Sequence, residues 1–158
     1  MIYEGFGPAK SRFIVKCLTG NKNRTAATIR HIFTEYGGSL GTVAWNFEKR
    51  GIIRIDKRII NELNANWGNL ELELIDAGAQ DILSEEEGIT ILTKIEDLQK
   101  VKQFLDLKNI ATESAEIEYV AKDELEVSGE DKEKLKKFIE ELENNEDVSD
   151  YYHNVSNI

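Results

Sequence analysis

The stretch NKNRTAATIRH, Asn21 to His31, places Lys22, Asn23, Arg24 and Arg30 where a helix is expected to begin, directly after the apolar run FIVKCLT. Phosphate binding needs cations on an exposed face, and a helix start adds free backbone N–H groups and the favourable end of the helix dipole. On a helical wheel Arg24, Ala27, His31 and Thr34 lie opposite Ile29, Phe33 and Tyr36, with Arg30 on the flank. Lys10, Arg12 and Lys16 precede them in the same segment. The candidate nucleic-acid-binding set is therefore Lys10, Arg12, Lys16, Lys22, Asn23, Arg24 and Arg30. An amphipathic helix also carries charge simply to stay solvated, and the spacing alone fits both uses.

The charge distribution sharpens that choice. The 158-residue chain has a formal net charge of -10, yet residues 1–58 carry eleven Lys and Arg against four acids, a segment charge of +7. The remainder is therefore -17. Such asymmetry points to an anionic partner for one part of the chain. The length allows one ordinary domain or two small ones, and 41% hydrophobic residues suffice for a packed core. No apolar run approaches the ~20 residues that span a bilayer. MIYEGFGPAK lacks the apolar middle of a secretory signal. The expectation is a soluble protein with no membrane partner, cytoplasmic, or mitochondrial if the source is eukaryotic.

Other chemistries are poorly represented. His31, His153 and the single cysteine, Cys17, lie far apart, so no metal site is expected, and Cys17 inside FIVKCLT reads as a buried strand thiol. Glu85, Glu86 and Glu87 lack the alternating oxygen ligands of a calcium loop and read as a solvated turn. GGSLG follows a helix instead of linking a strand to one, which excludes a phosphate loop or nucleophile elbow. Acid pairs are the expected background of so acidic a chain. The protein is expected to be non-enzymatic, with no cofactor and no small-molecule substrate.

The elements that must position the basic residues follow from local patterns. RFIVKCLT predicts a strand, Asn21 or Asn23 a helix cap, and Gly37 with Gly38 the helix end. TVAWNFEKRG and IIRI predict two strands joined as a hairpin around Lys49, Arg50 and Gly51. SGEDKEKLKKFIEELENN predicts the strongest helix, with a capping box from Ser128 and Asp131 and a stripe of Leu135, Phe138, Ile139 and Leu142. DVSDYYHNVS predicts a last strand. Together these give an α+β chain in which a ferredoxin-like βαββαβ domain, residues 1–56 plus 123–158, is interrupted by an inserted α+β domain, residues 57–122. In the insert, GITILTK and ATESAEIEYVA predict strands and IEDLQKVKQFLDLKN a helix. NLELELIDAGAQDIL fits strand alternation or a helix using Leu63, Leu70, Leu74 and Ile75, and the helix, ended by Gly78, is preferred.

Readers of single-stranded RNA on such a sheet stack bases on strand aromatics, and Phe13, Trp45, Phe47, Tyr151 and Tyr152 are candidates. Most are expected in the core, because helices must cover one sheet face, and the RNA-recognition signature is missing.

YEGFGP, FIVKCLTGNKNRTAATIRHIFTEYGGSLG, VAWNFEKRGII, DAGAQDI and DVSDYYHN resemble, in that order, the YebC family, which includes proteins named as transcriptional regulators and a mitochondrial translational activator of cytochrome oxidase. The resemblance implies a helical N-terminal domain, a middle α/β domain and a third domain inserted into the middle one. The family's basic helical domain precedes the YEG motif, at which this sequence starts, and the few small residues that usually separate LG from VAW are reduced here to Thr42, so that Gly41 runs into Thr42 and Val43. The function expected is regulation of gene expression through nucleic acid: DNA in transcription, or ribosomal RNA on the ribosome in translation. A different class of reading is an acidic protein-interaction module that binds a basic protein surface.

Overall fold

The computed structural model describes residues 1–63 and 67–158. In chain order the first elements are β1 (Ile2–Phe6), β2 (Arg12–Cys17), α1 (Lys22–Glu35), β3 (Ser39–Leu40), β4 (Phe47–Asp56), α2 (Lys57–Glu62) and α3 (Trp67–Ala77). They are followed by β5 (Ala79–Glu85), β6 (Gly88–Thr93), α4 (Leu98–Leu107), β7 (Ser114–Ala121), α5 (Gly129–Glu143) and β8 (Val148–His153). The chain is α+β, with strands in two four-stranded sheets. It divides into two compact units, Met1–Glu48 with Tyr119–Ile158, and Lys49–Glu118.

The first unit holds the sheet ordered β3-β1-β2-β8, in which every described pairing is antiparallel. Taken as β2-α1-β3 and α5-β8, this is the ferredoxin-like strand arrangement, with one change of origin. The strand between β2 and β3 is β1, from the chain start, and not a segment that follows β3. Strand alternation sends Phe13, Val15 and Cys17 into the layer of Ile29, Phe33, Leu135, Phe138 and Leu142 from α1 and α5. The Phe138 ring meets Phe13 and Phe33 edge-on, with centroids 4.9 and 5.0 Å apart, a geometry worth about 0.5–1.5 kcal/mol per pair beyond burial. Arg12, Ile14 and Lys16 alternate onto the other face, where Ile14 is covered by Val43 and Phe47.

Local signals place α1 well. The Asn21 side chain accepts from the Arg24 N–H at 3.1 Å, and Gly37 leaves the helix at φ +81°, a conformation glycine adopts without a Cβ clash. Ser128 stands at the start of α5 as expected, but its hydroxyl makes no capping hydrogen bond, so the predicted capping box is not formed.

The predicted hairpin at Lys49–Gly51 is absent. Residues 47–56 run as one ten-residue strand, and Gly51 pairs with Thr93 inside the ladder. A Cβ on Gly51 would lie 2.3 Å from the Thr93 hydroxyl and 2.8 Å from Leu98 Cβ, so this glycine serves a close approach and not a turn.

The second unit has the sheet order β5-β6-β4-β7. Ile53, Ile55, Ile89 and Ile91 pack against Leu70 and Leu74 of α3 and Val101 and Leu105 of α4. NLELELIDAGAQDIL is a helix up to Ala77 and a strand from Ala79, with Gly78 at φ +122° between them. Within α3, Leu70 and Leu74 are buried, whereas Ile75 points outward, and Leu63 closes α2 instead of belonging to α3. Glu86 and Glu87 form the exposed turn between β5 and β6. Arg54, between buried Ile53 and Ile55, alternates to the opposite face and holds Glu118 by a two-pronged ion pair, one bond at 3.1 Å.

Candidate nucleic-acid interface

The cations named from sequence do not form one surface. Lys22, Asn23 and Arg24 share the exposed first turn of α1, and Arg30 lies farther along the same helix, also exposed. Arg12 and Lys16 sit on the sheet face turned away from α1, and Lys10 ends the 3₁₀ turn Pro8–Lys10 with φ +61°. Among the described residues Lys22, Arg30, Arg12 and Lys16 make no ion pair.

The first turn of α1 already has an internal anion. Asp147, just before β8, lies 3.6 Å from the Arg24 guanidinium, and its carboxylate accepts from the buried Thr25 hydroxyl at 2.8 Å. Asn21 occupies the capping position, and its own N–H donates to the Thr19 hydroxyl at 3.0 Å. The helix start is thus tied to neighbouring polar groups, and its dipole is answered in part from within the chain. Arg24 remains largely exposed, so its pairing with Asp147 contributes little to stability.

Folding also changes the charge balance. Residues 1–48 and 119–158 together contain eleven Lys and Arg and fifteen Asp and Glu, net -4; residues 49–118 contain nine and fifteen, net -6. Of the +7 carried by residues 1–58, only +3 falls within residues 1–48, the other +4 belonging to the second unit, and the acids of α5 and its flanks outweigh it. A groove of about 490 Å³ between α1 and α5 is lined by Thr28, His31, Tyr36, Lys137, Glu140 and Glu141. There the Tyr36 hydroxyl meets Glu141 at 3.5 Å, and desolvation, followed by the charge of Glu141, raises the phenol above its ordinary pKa. So acidic a lining disfavours a polyanion.

Of the candidate stacking aromatics, Phe13 and Phe47 are core, as expected for most of the set, and Tyr151 and Tyr152 are half-buried. Tyr151 donates to Glu143 at 2.5 Å and is pushed up to about 12, with desolvation the largest cause. Trp45 differs from the rest. It lies on the 3₁₀ turn Ala44–Asn46 and not on a strand, it is 57% exposed, and the Arg12 guanidinium stands 4.7 Å from its ring centroid. Both residues stand out in the sequence, but nothing there pairs them, because 33 positions separate them and only the fold juxtaposes them.

Known proteins agree with this architecture. The family described as "TACO1/YebC second and third domain" matches residues 1–155. A "Probable transcriptional regulatory protein" of Thermoanaerobacter pseudethanolicus is 44% identical over 98% of this chain and 63% of its own length. A protein of the same name from Thermotoga maritima is 40% identical over 98% of this chain and 60% of its own length. The chain thus spans less than two thirds of these relatives. The crystal structure of a conserved hypothetical protein from Aquifex aeolicus superposes with a TM-score of 0.87 at 31% identity, covering 99% of this chain and 64% of that one. With a match along almost its whole length, this chain belongs to the TACO1/YebC family and corresponds to that family's second and third domains.

Proposed function

We propose that this chain acts in a non-enzymatic, cytoplasmic regulator of gene expression and binds nucleic acid through its first unit, with duplex DNA as the partner suggested by the transcriptional names of its relatives. The observation that carries the reading is the exposure of the cations of α1: Lys22 and Arg30 have no carboxylate partner among the described residues, and Asn23 and Arg24 follow Lys22 in the first turn. These groups contact phosphate, which positions the protein without reading sequence. Lys10, Arg12 and Lys16 lie elsewhere on the unit, Arg12 and Lys16 on the opposite sheet face, and are not continuous with the cations of α1. The net charge of -4 keeps this binding weak and confines it to the cationic side.

Electrophoretic mobility shift with duplex DNA, and with structured RNA as the translational comparison, tests the proposal. Affinity should fall as salt rises, and Lys22→Ala with Arg30→Ala should lower the slope of log affinity against log salt by ~0.9 per lost contact on DNA. Binding that is indifferent to salt, or unchanged in the double variant, removes the phosphate-contact reading. Tighter binding to structured RNA than to duplex DNA moves the partner from the transcription template to the translation machinery.

A further inference from the structure

We propose that Trp45 and Arg12 form a stacking step for an unpaired nucleobase, so that single-stranded nucleic acid is held on the sheet face opposite α1 and α5. This rests on the nucleic-acid reading above, but it names a different contact, a base face in place of phosphate alone, and a different residue pair.

The indole is exposed yet fixed. Its Nε1 donates to the Thr42 carbonyl at 3.1 Å, and the turn that carries it is held by the Glu4 carboxylate, which accepts from the N–H groups of Val43 and Ala44 at 2.7 and 2.5 Å. A ring held by its own edge in this way presents surface to a ligand with little side-chain freedom left to lose. The Arg12 guanidinium, 4.7 Å from the ring centroid, has no carboxylate partner among the described residues. A base can extend this stack on the indole or on the planar guanidinium, since both surfaces stack with nucleobases.

The surroundings suit a single strand. Lys16 follows Arg12 on the same face of β2, Tyr152 lies opposite Ile14 in the adjacent strand, and the Tyr152 and Tyr119 rings are 5.5 Å apart. Glu4, on the same face, is engaged by two backbone amides, and Asp150 is the acid opposite Lys16 in register. Cations interleaved with aromatics track a flexible backbone while every base offers a π-face, whereas in a duplex neighbouring base pairs cover those faces. On the helix side the aromatics Phe13, Phe33 and Phe138 are fully buried and offer none.

The test uses the full chain carrying Trp67→Phe, which leaves Trp45 as the sole tryptophan. Its fluorescence is followed during titration with thymidine and uridine homo-oligomers and with a blunt DNA duplex. The expected result is quenching of Trp45 in step with single-strand binding. Trp45→Ala, made with Trp67 retained, should weaken single-strand affinity about fivefold or more, leave duplex affinity unchanged and recover much of the loss as Trp45→Phe. Arg12→Ala should weaken the same binding. The two homopolymers show whether the unpaired base comes from DNA or RNA. Single-strand binding without quenching, or a Trp45→Ala variant that binds like the parent, overturns the stacking step while leaving the phosphate reading intact. If neither single strands nor duplex bind the parent protein, both readings fall. The Trp45→Phe variant guards against loss of folding, because it keeps the ring and the fold together.

Discussion

On one face of the first sheet Phe13, Val15 and Cys17 are sealed beneath α1 and α5, with the Phe138 ring wedged between Phe13 and Phe33. On the other face only Ile14 of the same strand is fully buried; Arg12 and Lys16 on either side of it reach water, and Trp45 leaves more than half its surface exposed. One six-residue strand thus serves two purposes by parity alone. The lesson is that aromatic residues close in sequence type have opposite value for binding: a ring used in the core cannot stack on a ligand.

The buried face carries the largest expected effect on stability. Leu135 is fully buried in the helix layer, and Leu135→Ala should destabilise the protein by about 2–5 kcal/mol through lost burial and a residual cavity. Urea denaturation read by far-UV circular dichroism measures it. A loss below about 1 kcal/mol would mean that α5 is not a principal support of this sheet.

A smaller effect separates the faces by pH. His153 lies on the helix side, its ring 5.3 Å from Phe13, and desolvation by burial holds it below its ordinary value of 6.5. Because the folded state resists protonation, the unfolded chain takes up more protons as pH falls below about 6.5, and stability falls with it until the lower folded pKa is passed. His153→Gln should flatten that part of the stability profile. Denaturation midpoints from pH 5 to 8 that fall equally in parent and variant would assign the acid sensitivity to other groups.

The smallest effect on stability belongs to the outer surface of α1. Arg24→Ala removes a mostly exposed cation and its 3.6 Å contact with Asp147, and should change stability by no more than about 0.5–1 kcal/mol while weakening nucleic-acid binding. An unfolded variant with intact affinity would make Arg24 a structural partner of Asp147 and sharpen the case for the opposite sheet face as the binding surface.

Local chemistry was enough to read β2, α1 and α5 from the sequence. The β-rich run RFIVKCLT marked the strand, Asn21 or Asn23 offered the cap that Asn21 forms, Gly37 ended the helix, and Leu135, Phe138 and Leu142 made one apolar stripe. Each of those signals acts within a turn or a strand length. Long-range pairing decided the rest. It put β1 between β2 and β3, drew residues 47–56 into one strand of a second sheet, and turned Gly51 from an apparent turn residue into a packing position against Thr93 and Leu98. It also decided the candidate site. Asp147 reaches Arg24 and Thr25 from the far end of the chain, Arg12 and Lys16 leave the face that carries Lys22 and Arg30, and Arg12 meets Trp45. Composition and spacing report which charges and rings a chain possesses. Which of them share a surface depends on strand parity and register between distant segments, and those exist only once the backbone hydrogen bonds of the sheet are made.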